Sequence, residues 1–265
     1  MKGIIIKNAS ELVTCRGKGP KHGKDMSDIG IIQNGCVVIE NDTIADVGTN
    51  DILKNYDLKR YEVFDASNKA VLPGFIDSHT HFIFGGYRAD EFSWRLRGDS
   101  YMSIMERGGG ITSTVRATRN TSLDEFIETG KKRLDKFLAM GVTTVEGKSG
   151  YGLDRDTEIR QLEAMKKLNE IHSMDVVPTF LGPHSVLPEY KGREDEFIDY
   201  MIEVMKFVTE NNLAEFADIF CEKNVFSVEQ SKKFLSEAKK LGLNLKIHAD
   251  RSEEHTSELQ SHHDL

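Results

Sequence analysis

From residue 70 onward, the chain alternates between short apolar runs and longer stretches with helical spacing. The apolar runs are AVLPGFIDSHTHF, GVTTVEGKSG, MDVVPTFLGPH, FADIFCEK and LNLKIHAD. The stretches between them, such as SLDEFIETGKKRLDKFLAMG, place apolar residues three or four positions apart, which is typical of an amphipathic helix. This alternation predicts about five βα units that build a parallel sheet.

The residues with the most chemistry lie where these runs end: His79, His81, Tyr151, His184 and His248. Both a (β/α)₈ barrel and a doubly wound sheet place their functional side chains at this end of the strands. The first run lacks the glycine-rich phosphate turn of a nucleotide-binding sheet, which favours the barrel. A complete barrel has eight strands and typically ~250 residues, so we expect a partial TIM barrel.

The first part of the chain has a different pattern. Residues 1–70 hold short runs of β-forming residues, such as GIIIKN and GCVVIEND, which Gly, Asn and Asp separate. This pattern is typical of a small, mostly β module. We therefore predict a small N-terminal β domain over residues 1–70 and a barrel over residues 71–250.

Two histidines two positions apart end the first apolar run of the barrel. Side chains at positions i and i+2 of a strand point to the same face, so His79 and His81 bring two imidazoles to one place. Neutral imidazole is a common ligand of Zn²⁺ and Fe²⁺. Two surface histidines beside a turn would show the same spacing, but their position at the end of an apolar strand, after LPGFID, favours a metal site.

Five segments carry a resemblance to a known family. LPGFIDSHTH resembles the first barrel strand of the amidohydrolase superfamily, and EGKSGYGLD, FLGPHSVLPEY, DIFCEKNVFSVEQS and LKIHAD follow in order. Together they resemble the imidazolonepropionase family over nearly all of residues 1–250. The resemblance implies a metal-dependent barrel of the amidohydrolase type with a small β-sandwich domain. It also implies hydrolysis of the cyclic amide of 4-imidazolone-5-propanoate to N-formimidoyl-L-glutamate, a step of histidine degradation.

The resemblance implies three metal ligands in this sequence, while the fourth ligand of the family, an aspartate of the last barrel strand, has no counterpart here. The lack of a bridging lysine within the fourth strand favours a single ion. His79 and His81 match the first two ligands of the family, and His248 matches the third. The ion would be Zn²⁺ or iron, as Fe²⁺ or Fe³⁺. Metal-activated water would attack the ring carbonyl of the substrate.

Three further residues match positions that contact the substrate in the family. Arg88 matches the guanidinium that binds the propionate, and its planar fork suits a carboxylate. A surface ion pair with Asp90 or Glu91 is the alternative for this arginine. Tyr151 matches a substrate-contacting phenol. His184 matches a histidine near the reacting carbonyl, where it would act in catalysis by stabilising the oxyanion.

The end of the chain departs from the family pattern. The family has a glutamate base three residues after the third histidine, and Arg251 stands there instead. Residues 251–265 match no part of the family, and RSEEHTSELQS resembles a translated sequencing adapter. We therefore expect this His-containing tail to be non-native. Since the base is absent, we also expect the 265-residue polypeptide by itself to be inactive.

Composition limits the partners. The formal net charge of −8 argues against nucleic acid and anionic membranes. Three cysteines without close spacing suit a reducing compartment, and no apolar run approaches the length of a membrane span. We expect a cytoplasmic enzyme with a small-molecule substrate, and the resemblance makes a homodimer plausible.

Two other functions fit parts of the sequence. One is another cyclic amidohydrolase or a deaminase of the same superfamily, and the set of Arg88, Tyr151 and His184 argues against it. The other is a non-catalytic metal-binding protein. The presence of candidate site residues on separate strands argues against that second function.

Overall fold

The structure is a computed structural model that describes residues 3–17, 19–99, 103, 109–222 and 225–249. The chain forms two compact units that divide between Gly74 and Phe75. The predicted non-native tail, residues 251–265, lies outside the described residues.

The N-terminal unit is a five-stranded sheet. Its strands are β1 (Gly3–Val13), β2 (Ile31–Glu40), β3 (Thr43–Thr49), β4 (Tyr61–Asp65) and β5 (Ala70–Val71). The order is β3-β2-β1-β4, and β5 also pairs with β1. β1 runs antiparallel to β2 and parallel to β4 and β5. The described strands form one sheet, so the β-sandwich stays a prediction.

Both faces of this sheet bury a small apolar cluster, because neighbouring residues of a strand point to opposite faces. Cys36 and Val38 pack with Ile5 on one side, while Val37 packs with Leu12 on the other. The N-terminal unit therefore has two thin cores in place of a single large one.

The second unit is built on parallel strands. They are β6 (Phe75–Thr80), β7 (Val142–Lys148), β8 (Asp175–Phe180), β9 (Phe216–Ala217), β10 (Phe220–Cys221), β11 (Asn244–Leu245) and β12 (His248–Ala249). One sheet has the order β11-β9-β8-β7-β6, and β10 pairs with β12. The predicted α/β fold with a partial parallel barrel is confirmed.

Six helices accompany these strands in the described part of the unit. They are α1 (Ala89–Leu96), α2 (Ile111–Arg119), α3 (Leu123–Ala139), α4 (Arg155–Ile171), α5 (Glu194–Glu210) and α6 (Val228–Lys240). Ser122 caps α3 in a reciprocal capping box with Glu125. No described helix combines the length and the apolar character that crossing a lipid bilayer requires.

The core of the second unit lies between these helices and the sheet. Phe126 and Leu134 of α3, Leu162 of α4 and Phe197 of α5 are fully buried. Burying an aliphatic or aromatic side chain of this size contributes about 1.5–3 kcal/mol. This packing holds the strands, and their carboxyl ends, in fixed positions.

The first barrel strand begins later than the apolar run suggested. Ala70 and Val71 pair with β1 of the N-terminal sheet, and β6 begins only at Phe75. Pro73 interrupts the run because proline has no N–H to donate to a strand ladder. The run AVLPGFIDSHTHF is therefore two short strands, one in each unit.

Candidate functional site

Three histidines converge at the carboxyl ends of the strands. His79 lies within β6, His81 directly follows it, and His248 begins β12. One ring nitrogen of each histidine lies within 4.8 Å of the others. His79 is exposed, His81 is half-buried and His248 is buried. The three histidines that the sequence predicts as metal ligands thus form one cluster.

The protonation and pairing of these rings fit a metal ion. Burial, followed by the neighbouring His248, lowers the pKa of His79. Burial, followed by His184 and His248, holds the pKa of His81 well below its usual range. His81 Nδ1 and His248 Nε2 are buried and have no hydrogen-bond partner in the described part of the chain. Neutral imidazoles with unpaired nitrogens are what a divalent metal ion binds.

Asp218 orients the third histidine. Its Oδ2 accepts a hydrogen bond of 2.7 Å from His248 Nδ1, which leaves Nε2 as the nitrogen for a metal. Burial opposes ionisation of Asp218, but hydrogen bonds from His248 and Lys148 outweigh it and lower the pKa to about 2. Asp218 is therefore a carboxylate at neutral pH, and it fixes the orientation of the His248 ring.

A buried lysine lies behind this pair. Lys148, at the end of β7, donates to Asp218 at 2.7 Å and to Glu146 at 2.8 Å. Glu146 also accepts from Thr179 at 2.5 Å and pairs with Lys246 at 2.8 Å. Lys148 and Asp218 are each 1% exposed. The charges that support His248 therefore lie in a region of low dielectric, where each ion needs its partners.

His184 and Tyr151 adjoin the histidine cluster. The His184 ring stacks on His81 with centroids 4.7 Å apart, and Tyr151 lies 5.0 Å from His81 and 5.3 Å from His184. His184 is buried, and its Nδ1 lies 2.9 Å from the carbonyl oxygen of Gly150. A carbonyl can only accept, so Nδ1 carries the hydrogen.

Arg88 lines a recess together with His81 and Tyr151. The recess has a volume of about 190 Å³, and it is lined by His81, Phe84, Gly86, Tyr87, Arg88, Thr114 and Tyr151. The Arg88 side chain is 42% exposed, and its Nη1 lies 3.7 Å from Glu91 Oε2. The structure thus has the ion pair that was the alternative for Arg88, and Arg88 also lines the same recess as His81 and Tyr151. A partner at 3.7 Å leaves the guanidinium donors available to an anion.

Sequence reasoning did not find Glu146, Lys148 or Asp218 as parts of the site. A signal was present, because all three are charged residues inside or beside apolar strand runs, and Glu146 and Lys148 are two positions apart. Charged residues are almost never fully buried unless they are paired. That rule could have predicted a buried ion network near β7.

Comparison with known proteins shows which sequences this chain resembles. Residues 62–121 match the family model described as the amidohydrolase family. An imidazolonepropionase from Clostridium tetani is 57% identical over 249 residues, which are 93% of this chain and 59% of that protein. One from Parabacteroides distasonis is 55% identical over 93% of this chain and 60% of its own length. The chain thus spans about 60% of the length of these curated relatives.

Solved structures agree on the fold. Escherichia coli guanine deaminase matches with a TM-score of 0.61 at 14% identity, covering 98% of this chain and 56% of its own. Atrazine chlorohydrolase from Arthrobacter aurescens TC1, solved with zinc, matches with a TM-score of 0.54 at 14% identity and covers 92% of this chain and 52% of its own. The predicted resemblance is confirmed: the chain is similar to imidazolonepropionases over 93% of its length, and residues 62–121 match the amidohydrolase family.

Proposed function

We propose that this chain carries the metal ligands and the substrate-binding residues of an imidazolonepropionase. The reaction is hydrolysis of 4-imidazolone-5-propanoate to N-formimidoyl-L-glutamate, with one Zn²⁺ or iron ion held by His79, His81 and His248. The observation that supports this most is the position of His81. It belongs to the histidine cluster, stacks on His184, and lines the recess with Arg88 and Tyr151.

The recess matches the two ends of this substrate. A bound divalent metal ion supplies water of lowered pKa and polarises a carbonyl. Arg88 binds the propionate, because its donors form paired, charge-assisted hydrogen bonds with a carboxylate. Tyr151, 5.0 Å from His81, contacts the five-membered ring. The ring carbonyl then lies beside His81 and His184.

His184 can take one of two roles in this arrangement, depending on its protonation state. Its Nδ1–H donates a hydrogen bond to the Gly150 carbonyl, so Nε2 is the ring nitrogen that points away from Gly150. Nε2 accepts a hydrogen bond when the ring is neutral and donates one only when the ring is protonated. Stabilising an oxyanion therefore requires the imidazolium form of His184, whereas binding a substrate N–H requires the neutral form.

The setting of the enzyme belongs to the same proposal. Cys15, Cys36 and Cys221 are all free thiols, which supports a reducing, cytoplasmic location. Homodimer formation stays a prediction from the family resemblance. The substrate is a small molecule, and the acidic net charge of −8 supports a protein without a nucleic-acid partner.

A chimera tests the proposed function. Residues 1–249 would be joined to the part of the C. tetani relative that lies beyond the matched segment. The purified chimera, loaded with Zn²⁺ or Fe²⁺, is assayed on 4-imidazolone-5-propanoate, guanine, cytosine and dihydrouracil. We expect hydrolysis of the first compound alone. Turnover of a heterocycle without a carboxylate would favour a different amidohydrolase.

Two controls separate the roles within this assay. His79→Ala should abolish metal-dependent turnover and lower the bound metal content, as the loss of one of three ligands demands. Arg95→Gln replaces an exposed arginine on the same helix that follows Arg88 and should leave turnover unchanged. A chimera that binds the metal but hydrolyses none of the four compounds would support the non-catalytic metal-binding alternative.

A further inference from the structure

The loop that carries Tyr151 wraps around a buried carboxylate. Glu158, in the first turn of α4, is 0% exposed. Its two oxygens accept from the backbone N–H groups of Gly150 at 2.9 Å, and of Gly152 and Leu153 at 2.8 Å each. In the described part of the chain, Glu158 forms no ion pair with a lysine, arginine or histidine. Three backbone N–H groups therefore stabilise the Glu158 carboxylate in place of a positively charged side chain.

The position of Glu158 on its helix explains this geometry. Asp154 caps α4, and side chains in the first turn lean back toward the helix N-terminus. The partial positive charge at that end favours a carboxylate. Burial nevertheless outweighs the hydrogen bonds from Ser149 and the backbone and raises the pKa of Glu158. Burial of the Glu158 carboxylate is therefore unfavourable, and the loop conformation supplies the hydrogen bonds that offset part of this cost.

The backbone of this loop includes left-handed conformations that most residues avoid. Gly150 has a φ of +105°, and Leu153, which is not a glycine, has a φ of 55°. Left-handed backbone at a residue such as leucine persists only where the surroundings enforce it. The hydrogen bond from Leu153 N–H to Glu158 is one such enforcing contact.

The same loop sets the orientation of two residues of the proposed site. Tyr151 lies between two of the amides that Glu158 binds, and the Gly150 carbonyl accepts the Nδ1–H of His184. Ser149 extends the link, since its hydroxyl oxygen accepts a hydrogen bond from the N–H of Leu181, which directly follows β8. Glu158 itself is not part of the recess around Arg88.

We propose that Glu158 is a positioning residue for the site, whose carboxylate holds residues 149–153 so that Tyr151 faces the substrate and His184 keeps its proton on Nδ1. The part that concerns the substrate rests on the proposed imidazolonepropionase function. The part that concerns the His184 tautomer rests on geometry alone. A glutamine at position 158 would place an amide NH₂ against backbone N–H groups, so it could not accept all of these hydrogen bonds.

The test compares Glu158→Gln and the milder Glu158→Asp with Glu163→Gln, an exposed residue of the same helix. Side-chain ¹⁵N spectra of histidine-labelled protein, taken in mildly alkaline buffer where an ordinary imidazole is neutral, report the His184 tautomer in the 265-residue chain and in the chimera. His184→Asn assigns the signal. We expect the Nδ1–H form in the parent and in Glu163→Gln, and a mixture of tautomers in Glu158→Gln.

The kinetic part of the test uses the chimera. In Glu158→Gln, kcat/KM should fall on the order of 100-fold, as expected when catalytic groups are misplaced by about 1 Å. Glu158→Asp should recover part of the loss, and Glu163→Gln should stay within about twofold of the parent. If the parent chimera does not hydrolyse the imidazolone, the proposed function fails, while the tautomer measurement still tests Glu158.

Two results would overturn the positioning role. One is folded Glu158→Gln protein with an unchanged His184 tautomer. The other is loss of folding in both Glu158 variants under conditions where Glu163→Gln is folded, because Glu158 would then serve the fold and not the site.

Discussion

The candidate site has two sides that are held in different ways. On the metal side, His248 is fixed by Asp218 and Lys148, both 1% exposed. On the substrate side, the Arg88 side chain is 42% exposed and Tyr87 is 77% exposed. Buried charges depend strongly on their partners, whereas exposed charges are screened by water. We therefore expect mutations on the metal side to alter folding and mutations on the substrate side to alter binding.

The largest expected effect comes from removing the buried cation. Lys148→Met leaves the carboxylates of Glu146 and Asp218 without the ammonium they share. Breaking a buried ion pair in this way destabilises a protein by about 3–5 kcal/mol. Urea unfolding of the variant measures the loss. Lys132→Met, at an exposed residue paired with Glu128, is the control and should stay within about 0.5 kcal/mol of the parent.

A Lys148→Met variant as stable as its control would show that folding does not depend on this buried cation. It would mean that Lys246, which also pairs with Glu146, and His248, which bonds Asp218, suffice for the two carboxylates.

Asp218→Asn tests the link between this network and the metal. An asparagine oxygen can still accept from His248, but without the negative charge that raises the basicity of the ring. Metal affinity should fall about 10- to 100-fold, as it does when such supporting carboxylates are replaced. Competition with a chelator in the purified 265-residue chain gives the affinity.

The matched control for this prediction is Asp199→Asn. Asp199 is an exposed carboxylate of α5 that pairs with Lys233 far along the chain. Its replacement should leave metal affinity unchanged. Equal affinity of Asp218→Asn and Asp199→Asn would show that the orientation of His248 does not depend on a charged partner.

The two sides also differ in how far the sequence predicts them. The strand order and the gathering of His79, His81 and His248 follow from local patterns, namely apolar runs and polar residues at their ends. The partner of His248 does not follow, because Asp218 lies 30 positions earlier in the chain and meets it only through the pairing of neighbouring strands.

On the substrate side, the sequence left two readings of Arg88 open. The structure contains the Glu91 ion pair, and Arg88 also lines the recess, so its binding of a carboxylate stays a prediction. The sequence did not single out Glu158, because an acidic residue in the first turn after an N-cap such as Asp154 is ordinary for a helix. Only the folded loop reveals that its carboxylate faces three backbone amides.

Arg88→Gln is the corresponding test of the substrate side. Removing a charge-assisted hydrogen bond to a carboxylate costs about 1.5–3 kcal/mol of binding, which is on the order of 10- to 100-fold in affinity. In the chimera, KM for 4-imidazolone-5-propanoate should rise by that factor. The free energy of unfolding should change by less than about 0.5 kcal/mol, since the side chain is 42% exposed and its ion pair with Glu91 is long, at 3.7 Å.

Two outcomes would change this picture. An unchanged KM would leave Arg88 with its Glu91 ion pair alone. A loss of stability as large as that of Lys148→Met would show that the substrate side is held as rigidly as the metal side, and the difference between them would disappear.

The smallest expected effect concerns the contacts that hold residues 82–88, the loop that carries Arg88. Arg133 of α3 donates to the carbonyl oxygens of Phe82 at 2.6 Å and Phe84 at 3.3 Å, and its guanidinium lies 3.8 Å from the centroid of the Phe84 ring. Lysine keeps the charge but has no planar guanidinium that can stack on the Phe84 ring while its Nη1 bonds both carbonyls. Arg133→Lys should therefore destabilise this loop by about 1 kcal/mol.

Amide hydrogen exchange over residues 82–88 measures that local change, with Lys132→Arg on the same helix as the control. Exchange should become faster in this loop and stay unchanged at His248, because the buried network around Asp218 does not touch Arg133 in the described part of the chain. Faster exchange at both places would mean that the two sides of the site open together, and that the histidine cluster depends on the loop as much as on its own strands.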